Sequence, residues 1–289
     1  MDWKNRLAWF SNSSLGAFSR RDIRLRRFRQ VLLAALRTRG YRQSLQRAGF
    51  GKPEAIAALC SIDEALHRLP CLDWAEFKRS PADYSNPFPP DPAPPTLRQA
   101  RKIKTAVLSP RFVETDSIRI FDPHSIDRIR SYAPEAIAAP IGVLRRLADM
   151  ACRAGGTILT LSHSVVVFTG PENGILSDGD RDLLWRVFEV PIFEQWLGGD
   201  GALMGWECEA HEGLHTVPEN AIFEAGSGSG LIVTSLTDRH HPAIRLTSFP
   251  QAIIEDQPCE CGQPGSRLIG LPAHESERTT CVVASVSGD

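Results

Sequence analysis

The clearest chemical signal in the chain comes from Cys208, Cys259, Cys261 and one of the two histidines His211 and His215. They fall in two short clusters, C-E-A-H-E-G-L-H and C-E-C-G. Three thiols and an imidazole are a standard ligand set for a closed tetrahedral zinc site, which is structural because no coordination position is left open. Loading such a site contributes on the order of 10 kcal/mol to folding when ligation resembles that of isolated zinc domains. Gly262, directly after the second cluster, can take the turn conformation that a ligand knuckle needs. The alternative reading is a pair of reduced surface cysteines beside a solvent-exposed histidine. For the zinc reading to hold, the intervening chain must fold back on itself and bring residues 208–215 against 259–261.

Composition limits the other possibilities. With 289 residues, 42% of them hydrophobic, the chain can bury a sizeable core as one large domain or two modest ones. A formal net charge of −1 argues against the whole molecule being an electrostatic nucleic-acid binder. No run of about 18 apolar residues is present, so no transmembrane helix is expected, and the first residues do not read as a secretory signal. Seven cysteines without an export signal favour reduced thiols and a cytoplasmic protein. Cys60, Cys71, Cys152 and Cys281 show no partner pattern and read mostly as core residues.

The elements that must position the ligands divide the chain into four expected parts. Residues 1–86 read as an N-terminal helical region. In it, Ile23, Phe28, Val31, Leu32, Ala35 and Leu36 recur at helical spacing, and arginines fill the opposite face. That face reads as solvated, with an acidic partner as the functional alternative. Gly40 is expected to end this helix, and a second helix is expected over 53–70. Residues 87–96 contain P-F-P-P-D-P-A-P-P and read as an extended linker. Residues 97–201 alternate strand-like and helix-like segments, which argues for an α/β layer with parallel strands; T-I-L-T-L at 157–161 is expected to be one of the strands. Residues 202–289 change to short strands separated by Gly, Asn and Asp, an antiparallel meander or small barrel that would carry the zinc site.

Three stretches resemble the phenylacetate–CoA ligase-like branch of the adenylate-forming (AMP-binding) enzymes. The first is the opening, with Y-R-Q-S-L-Q-R-A-G-F and then L-H-R-L-P-C-L-D-W-A-E-F. The second holds A-A-P-I-G-V-L-R-R-L-A, V-V-V-F-T-G-P-E and I-F-E-Q-W-L-G-G-D-G. The third is G-W-E-C-E-A-H-E-G-L-H-T-V followed by G-L-I-V-T-S-L-T-D-R-H-H-P-A-I-R-L. The resemblance implies a partial adenylate-forming domain of α/β class. It favours His215 over His211 as the fourth ligand, because family members show the G-L-H tripeptide. It also points to Gly170, Glu172 and Asp200 as the positions nearest a nucleotide, with Asp200 the candidate catalytic acid and Mg²⁺ contact.

The departures from the family pattern bear directly on function. Members carry a Ser/Thr/Gly-rich phosphate loop whose backbone N–H groups cradle ATP; here the corresponding place holds the proline linker and T-L-R-Q-A-R-K-I-K-T. The G-S-G-S-G stretch at 226–230 sits where a hairpin turn belongs. The family's Y-G-x-(S/T)-E becomes Trp196, Leu197, Gly198, Gly199 and Asp200, and its ribose-binding aspartate becomes Pro250. No lid domain with a catalytic lysine is expected after Gly270. These losses put Mg-ATP use in question. They imply an accessory protein that binds an acyl or aryl carboxylic acid or a partner enzyme, with a reduced adenylating or acyl-transferring enzyme as the alternative. His163 and the His240–His241 pair read as structural or surface residues, and no G-x-S-x-G motif supports hydrolase chemistry.

Overall fold

The computed structural model describes residues 17–91, 94–95, 97–99, 103–170, 173–226, 230–249 and 252–270. The N-terminal part is helical: α1 (Ala17–Leu36), α2 (Arg39–Arg47), α3 (Pro53–Ala57) and α4 (Ile62–Arg68), then the short strand β1 (Leu72–Asp73) and α5 (Trp74–Arg79). The α/β part follows: β2 (Thr105–Val107), β3 (Ile118–Ile120), α6 (Ile126–Tyr132), β4 (Ala136–Pro140), α7 (Ile141–Ala154), β5 (Ser164–Thr169), α8 (Asp178–Phe188) and β6 (Ile192–Leu197). The remainder is strand: β7 (Leu203–Glu207), β8 (Leu214–Thr216), β9 (Ala221–Ala225), β10 (Leu231–Ser235), β11 (Leu246–Phe249), β12 (Ile253–Glu255) and β13 (Arg267–Ile269).

Among the described residues the strands form two sheets. The larger has the order β12-β13-β8-β7-β6-β5-β4-β2-β3. Its β3, β2, β4, β5 and β6 run parallel, whereas β6 to β12 are antiparallel neighbours. Parallel pairing needs crossovers; α6, α7 and α8 supply those that lead into β4, β5 and β6, and a loop joins β2 to β3. Every residue of β5 is buried, the pattern of a strand covered on both faces. The sheet crosses residue 201 without a break, because β6 pairs with β7 on its far side. The smaller sheet, β1-β11-β10-β9, carries the helical region: Phe28, Leu32, Leu45 and Ile56 pack in one apolar cluster with Leu236 and Ile244.

Several local expectations give way to chain chemistry. The first helix ends at Leu36 rather than at Gly40. Thr38 takes extended geometry and caps α2 by accepting the Tyr41 N–H at 3.3 Å. Gly40 therefore lies inside α2, where a Cβ would stand 2.3 Å from the Tyr84 ring. The helix expected over 53–70 is two helices, because Ser61 caps a new one by accepting from the Glu64 N–H. The T-I-L-T-L stretch is not a strand. Both edges of β4 are already taken, by β2 and β5, so residues 157–161 have no ladder to join, and they instead bury Leu159 and Leu161 from a loop. The arginine face of α1 is only partly solvated: Arg27 donates to the Glu219 carbonyl and Asn220 Oδ1, each at 2.7 Å, and Arg29 donates to the Leu59 carbonyl.

Candidate metal centre and strand-end cavity

The register of the larger sheet builds the metal site. Gln195 of β6 pairs with Trp206 of β7, Trp206 with His215 of β8, and His215 with Arg267 of β13. Cross-strand partners present their side chains on the same face, so these four form a row across the sheet. Cys208 follows β7 directly, and the 208–213 connection brings the chain back as β8. Gly213 closes that turn at φ 97°, with an ideal Cβ position only 2.4 Å from the Leu268 carbonyl oxygen, so no other residue fits without a shift. Cys259 and Cys261 sit on the loop between β12 and β13. There Gly262, at φ 75°, donates its N–H to the Cys259 carbonyl at 2.9 Å and makes the expected knuckle.

The ligand atoms of Cys208, His215, Cys259 and Cys261 all lie within 4.8 Å of one another. Cys208 Sγ is 3.6 Å from Cys259 Sγ, and Cys261 Sγ is 3.3 Å from His215 Nε2. Two sulfurs each about 2.3 Å from a tetrahedral zinc stand about 3.8 Å apart, whereas a disulfide requires about 2.05 Å. The observed spacing therefore fits a shared ion better than a covalent bridge. His211 is turned elsewhere: its Nδ1 is 2.9 Å from Glu207 Oε1 and its ring stacks on Phe193. Cys208, Cys259 and His215 are buried, which removes the alternative of surface thiols and an exposed imidazole for these three.

Burial acts on the four ligands in different directions, keeping His215 neutral for ligation while opposing ionisation of the thiols. Burial pushes the Cys208 thiol up to about 12, and burial also raises Cys261. Burial opposes ionisation of Cys259 as well, but hydrogen bonds from the Cys261 backbone and the neighbouring thiols, with Arg267, hold it below its usual value. Burial, then Arg267 and Arg98, lowers His215, which keeps the imidazole neutral and able to ligate. Arg267 is itself held by Glu212, at 2.7 Å to Oε2. The Arg98 guanidinium lies 3.3 Å over the Trp206 ring, which stacks on His215 at 4.8 Å; burial lowers Arg98 to about 10.

A cavity of about 190 Å³ lies at the C-terminal ends of the parallel strands, the usual ligand position in open α/β sheets. Its lining includes Pro95, Ser109, Arg111, Phe112, Phe168 and Asn173. The Phe112 and Phe168 rings stack at 4.8 Å, and Arg111 donates to the Gly199 carbonyl at 3.0 Å. Gly170 ends β5 at φ 130°; a Cβ there would stand 2.2 Å from the Leu197 carbonyl oxygen, so the position is fixed by backbone packing. Asp200 lies at the tip of the β6–β7 turn, where Oδ1 accepts the Ala202 N–H at 3.1 Å. Glu172, Pro250 and the middle of the G-S-G-S-G stretch lie outside the described residues. A larger open trough of about 1030 Å³ runs past Lys104, Arg119 and Tyr132 near the edge strand β3, away from these strand ends.

Polar groups that the sequence did not signal pin α8 to the sheet. Glu194, raised to about 7 by burial, accepts from Thr169 Oγ1 at 2.6 Å and pairs with Arg181, which also reaches Glu207 at 3.0 Å. Asp180 pairs with Arg145 through both oxygens at 2.7 Å and completes a capping box with Ser177. The S-x-x-D spacing before an apolar run could have revealed that cap; nothing in the sequence marked Arg98, Trp206 or Arg111. Cys60 and Cys71 are exposed rather than core, and Cys152 is disulfide-bonded rather than reduced. His163 caps nothing catalytic: its Nδ1 meets Ser164 Oγ at 2.8 Å at the start of β5, the end of the strand away from the cavity.

Fold and site together define a mixed α/β domain with a Cys₃His cluster on its antiparallel half. The same fold occurs in 2-hydroxyisobutyryl-CoA ligase. The open conformation of that enzyme, in complex with 2-HIB-AMP and CoA, matches with a TM-score of 0.61 and 14% identity over 88% of this chain and 69% of that one. Its thioesterification state matches with a TM-score of 0.61 over 89% of this chain and 68% of that one. Coronafacic acid ligase from Pectobacterium brasiliense gives a TM-score of 0.35, 11% identity and 61% coverage of this chain, too distant to support argument. No protein-family model and no curated protein matches the sequence. This chain therefore shares the fold of 2-hydroxyisobutyryl-CoA ligase. Among the described residues no helix is long and apolar enough to cross a membrane.

Proposed function

We propose that this chain is a reduced adenylate-forming-type protein that lacks full ligase activity and acts by binding an acyl or aryl carboxylic acid, or a partner enzyme. The cavity carries the reading. At about 190 Å³ it is below the roughly 300–1,000 Å³ typical of pockets for drug-sized ligands, so it suits a short acid better than an acyl-adenylate. Stacked Phe112 and Phe168 offer an aromatic wall, and Arg111 a cation for a carboxylate. Asp200, the position that would meet Mg²⁺, already spends an oxygen on its own turn. Zinc at Cys208, His215, Cys259 and Cys261 supplies a structural clamp and no chemistry of its own in this reading.

The test is ATP–pyrophosphate exchange with a panel of aryl and short fatty acids, on the wild-type chain and Asp200→Ala. The expected result is background exchange in both proteins, with direct binding of an acid such as phenylacetate detectable by calorimetry. Acid-dependent exchange that disappears in Asp200→Ala would establish the competing reading, a reduced but working adenylating enzyme.

A further inference from the structure

Arg98 lies beside the metal centre and close in the chain to the cavity wall, although its sequence context gave no sign of a role. Its guanidinium lies over the Trp206 ring, which also stacks on the ligand ring of His215. Its backbone is clipped to the sheet in both directions: the Arg98 N–H donates to Gln195 Oε1 at 3.3 Å, and Gln195 Nε2 donates to the Arg98 carbonyl. Gln195 is the first member of the same cross-strand row that ends at His215 and Arg267. One residue earlier, Leu97 is 7% exposed and packs with Phe112, Phe168 and Leu197, three residues that also line the cavity. Pro95 forms part of the cavity wall and lies 3.3 Å from where a Gly201 Cβ would stand. Pro95 at the cavity and Leu97–Gln99 at the metal row are thus close neighbours in the chain. Among the contacts that hold them are the Gln195 clip, the Arg98 stack and the bonds of Gln99 with Thr105 and Ser117.

The stack itself ties Arg98 to the ion. A metal held through His215 Nε2, which lies 3.3 Å from Cys261 Sγ, would fix the imidazole plane on which Trp206 stacks, and with it the platform under Arg98.

We propose that Pro95 and residues 97–99 act as a strap whose order depends on the metal: zinc at the Cys/His site holds Arg98 over Trp206, and so keeps Pro95 in the cavity wall and Leu97 packed against the residues that line it. Arg98 is thus a positioning residue that acts on the cavity through the sheet row, without touching the acid. The inference rests on the zinc and cavity readings given above.

The experiment is hydrogen exchange at the backbone amides of Leu97, Arg98 and Gln99 in the full chain, zinc-loaded and after chelation, with Arg98→Ala and Gln195→Leu compared at equal zinc content. Protection of these amides should fall at least about ten-fold on chelation and by a similar factor in zinc-loaded Arg98→Ala, while amides of α1 and β5 stay protected. Arg98→Lys, which keeps the charge but not the planar stack, should recover only part of the protection. Unchanged protection in zinc-loaded Arg98→Ala would overturn the strap, and that variant decides the matter even where chelation loosens the whole antiparallel half. The readout needs no acid, so failure of phenylacetate to bind would overturn the acid-binding reading alone.

Discussion

The two halves of the large sheet keep different things. In the antiparallel half, every side chain of a ligand set is present and converges: Cys208, His215, Cys259 and Cys261 arrive from three chain segments to within 4.8 Å. In the parallel half, the strand ends border a small cavity, and Asp200 near it accepts the Ala202 N–H within its own turn. A structural clamp needs only the right donor types at the right register, and a β-ladder delivers register reliably. The cavity is bounded instead by loops beyond the strand ends, whose course no ladder fixes. The contrast teaches that ligand convergence follows from strand register, whereas cavity shape follows from the loops.

The sharpest way to break the comparison is to remove one ligand. Cys259→Ser should abolish stoichiometric zinc and cost at least about 4 kcal/mol of stability, the scale of loss expected when a structural metal goes; metal analysis and denaturant unfolding read it. Equal stability with and without zinc would mean that the four residues are not a clamp. In the parallel half the largest effect should come from Gly170→Ala, which forces a Cβ against the Leu197 carbonyl at a φ of 130°. We expect about 2–3 kcal/mol of destabilisation with zinc content unchanged. A drop in zinc content there would show that the halves do not fold as separately sensitive regions.

A smaller effect should follow from Asp180→Asn, about 2 kcal/mol, because Arg145 is more than a third exposed and solvent screens part of the pair. Its pH dependence has a definite sign. Burial works against the Asp180 carboxylate, but Arg145 and Ser177 outweigh it and hold the group below its unfolded value. The stabilisation is therefore complete above about pH 4, the unfolded value, and is lost as pH falls through the lower folded one. The variant should close the gap with wild type only in that acid range, and a gap that persists unchanged below it would assign the effect to packing.

Much of this was legible in the chain. The strands V-V-V-F-T and I-F-E-Q-W and the helix Ile141–Ala154 stood out by apolar runs and by 3.6-residue spacing, and they fold as β5, β6 and α7. The Cys₃ set was legible because thiols are rare and carry their chemistry with them. The choice of His215 over His211 was settled in space, since both are histidines four residues apart; only the ladder turns one toward the thiols and leaves the other on Glu207. T-I-L-T-L misled because its composition suits a strand, yet pairing is decided by whether an edge is free.

The sequence by itself determined which donors exist and where apolar periodicity places the helices and strands, because those properties reside in residue type and local spacing. The tertiary structure alone decided that Arg98 lies over Trp206 and that the Phe112 and Phe168 rings stack beside a small cavity. Those facts depend on strand order and register, which bring together residues up to about a hundred positions apart. Local sequence does not encode such distances.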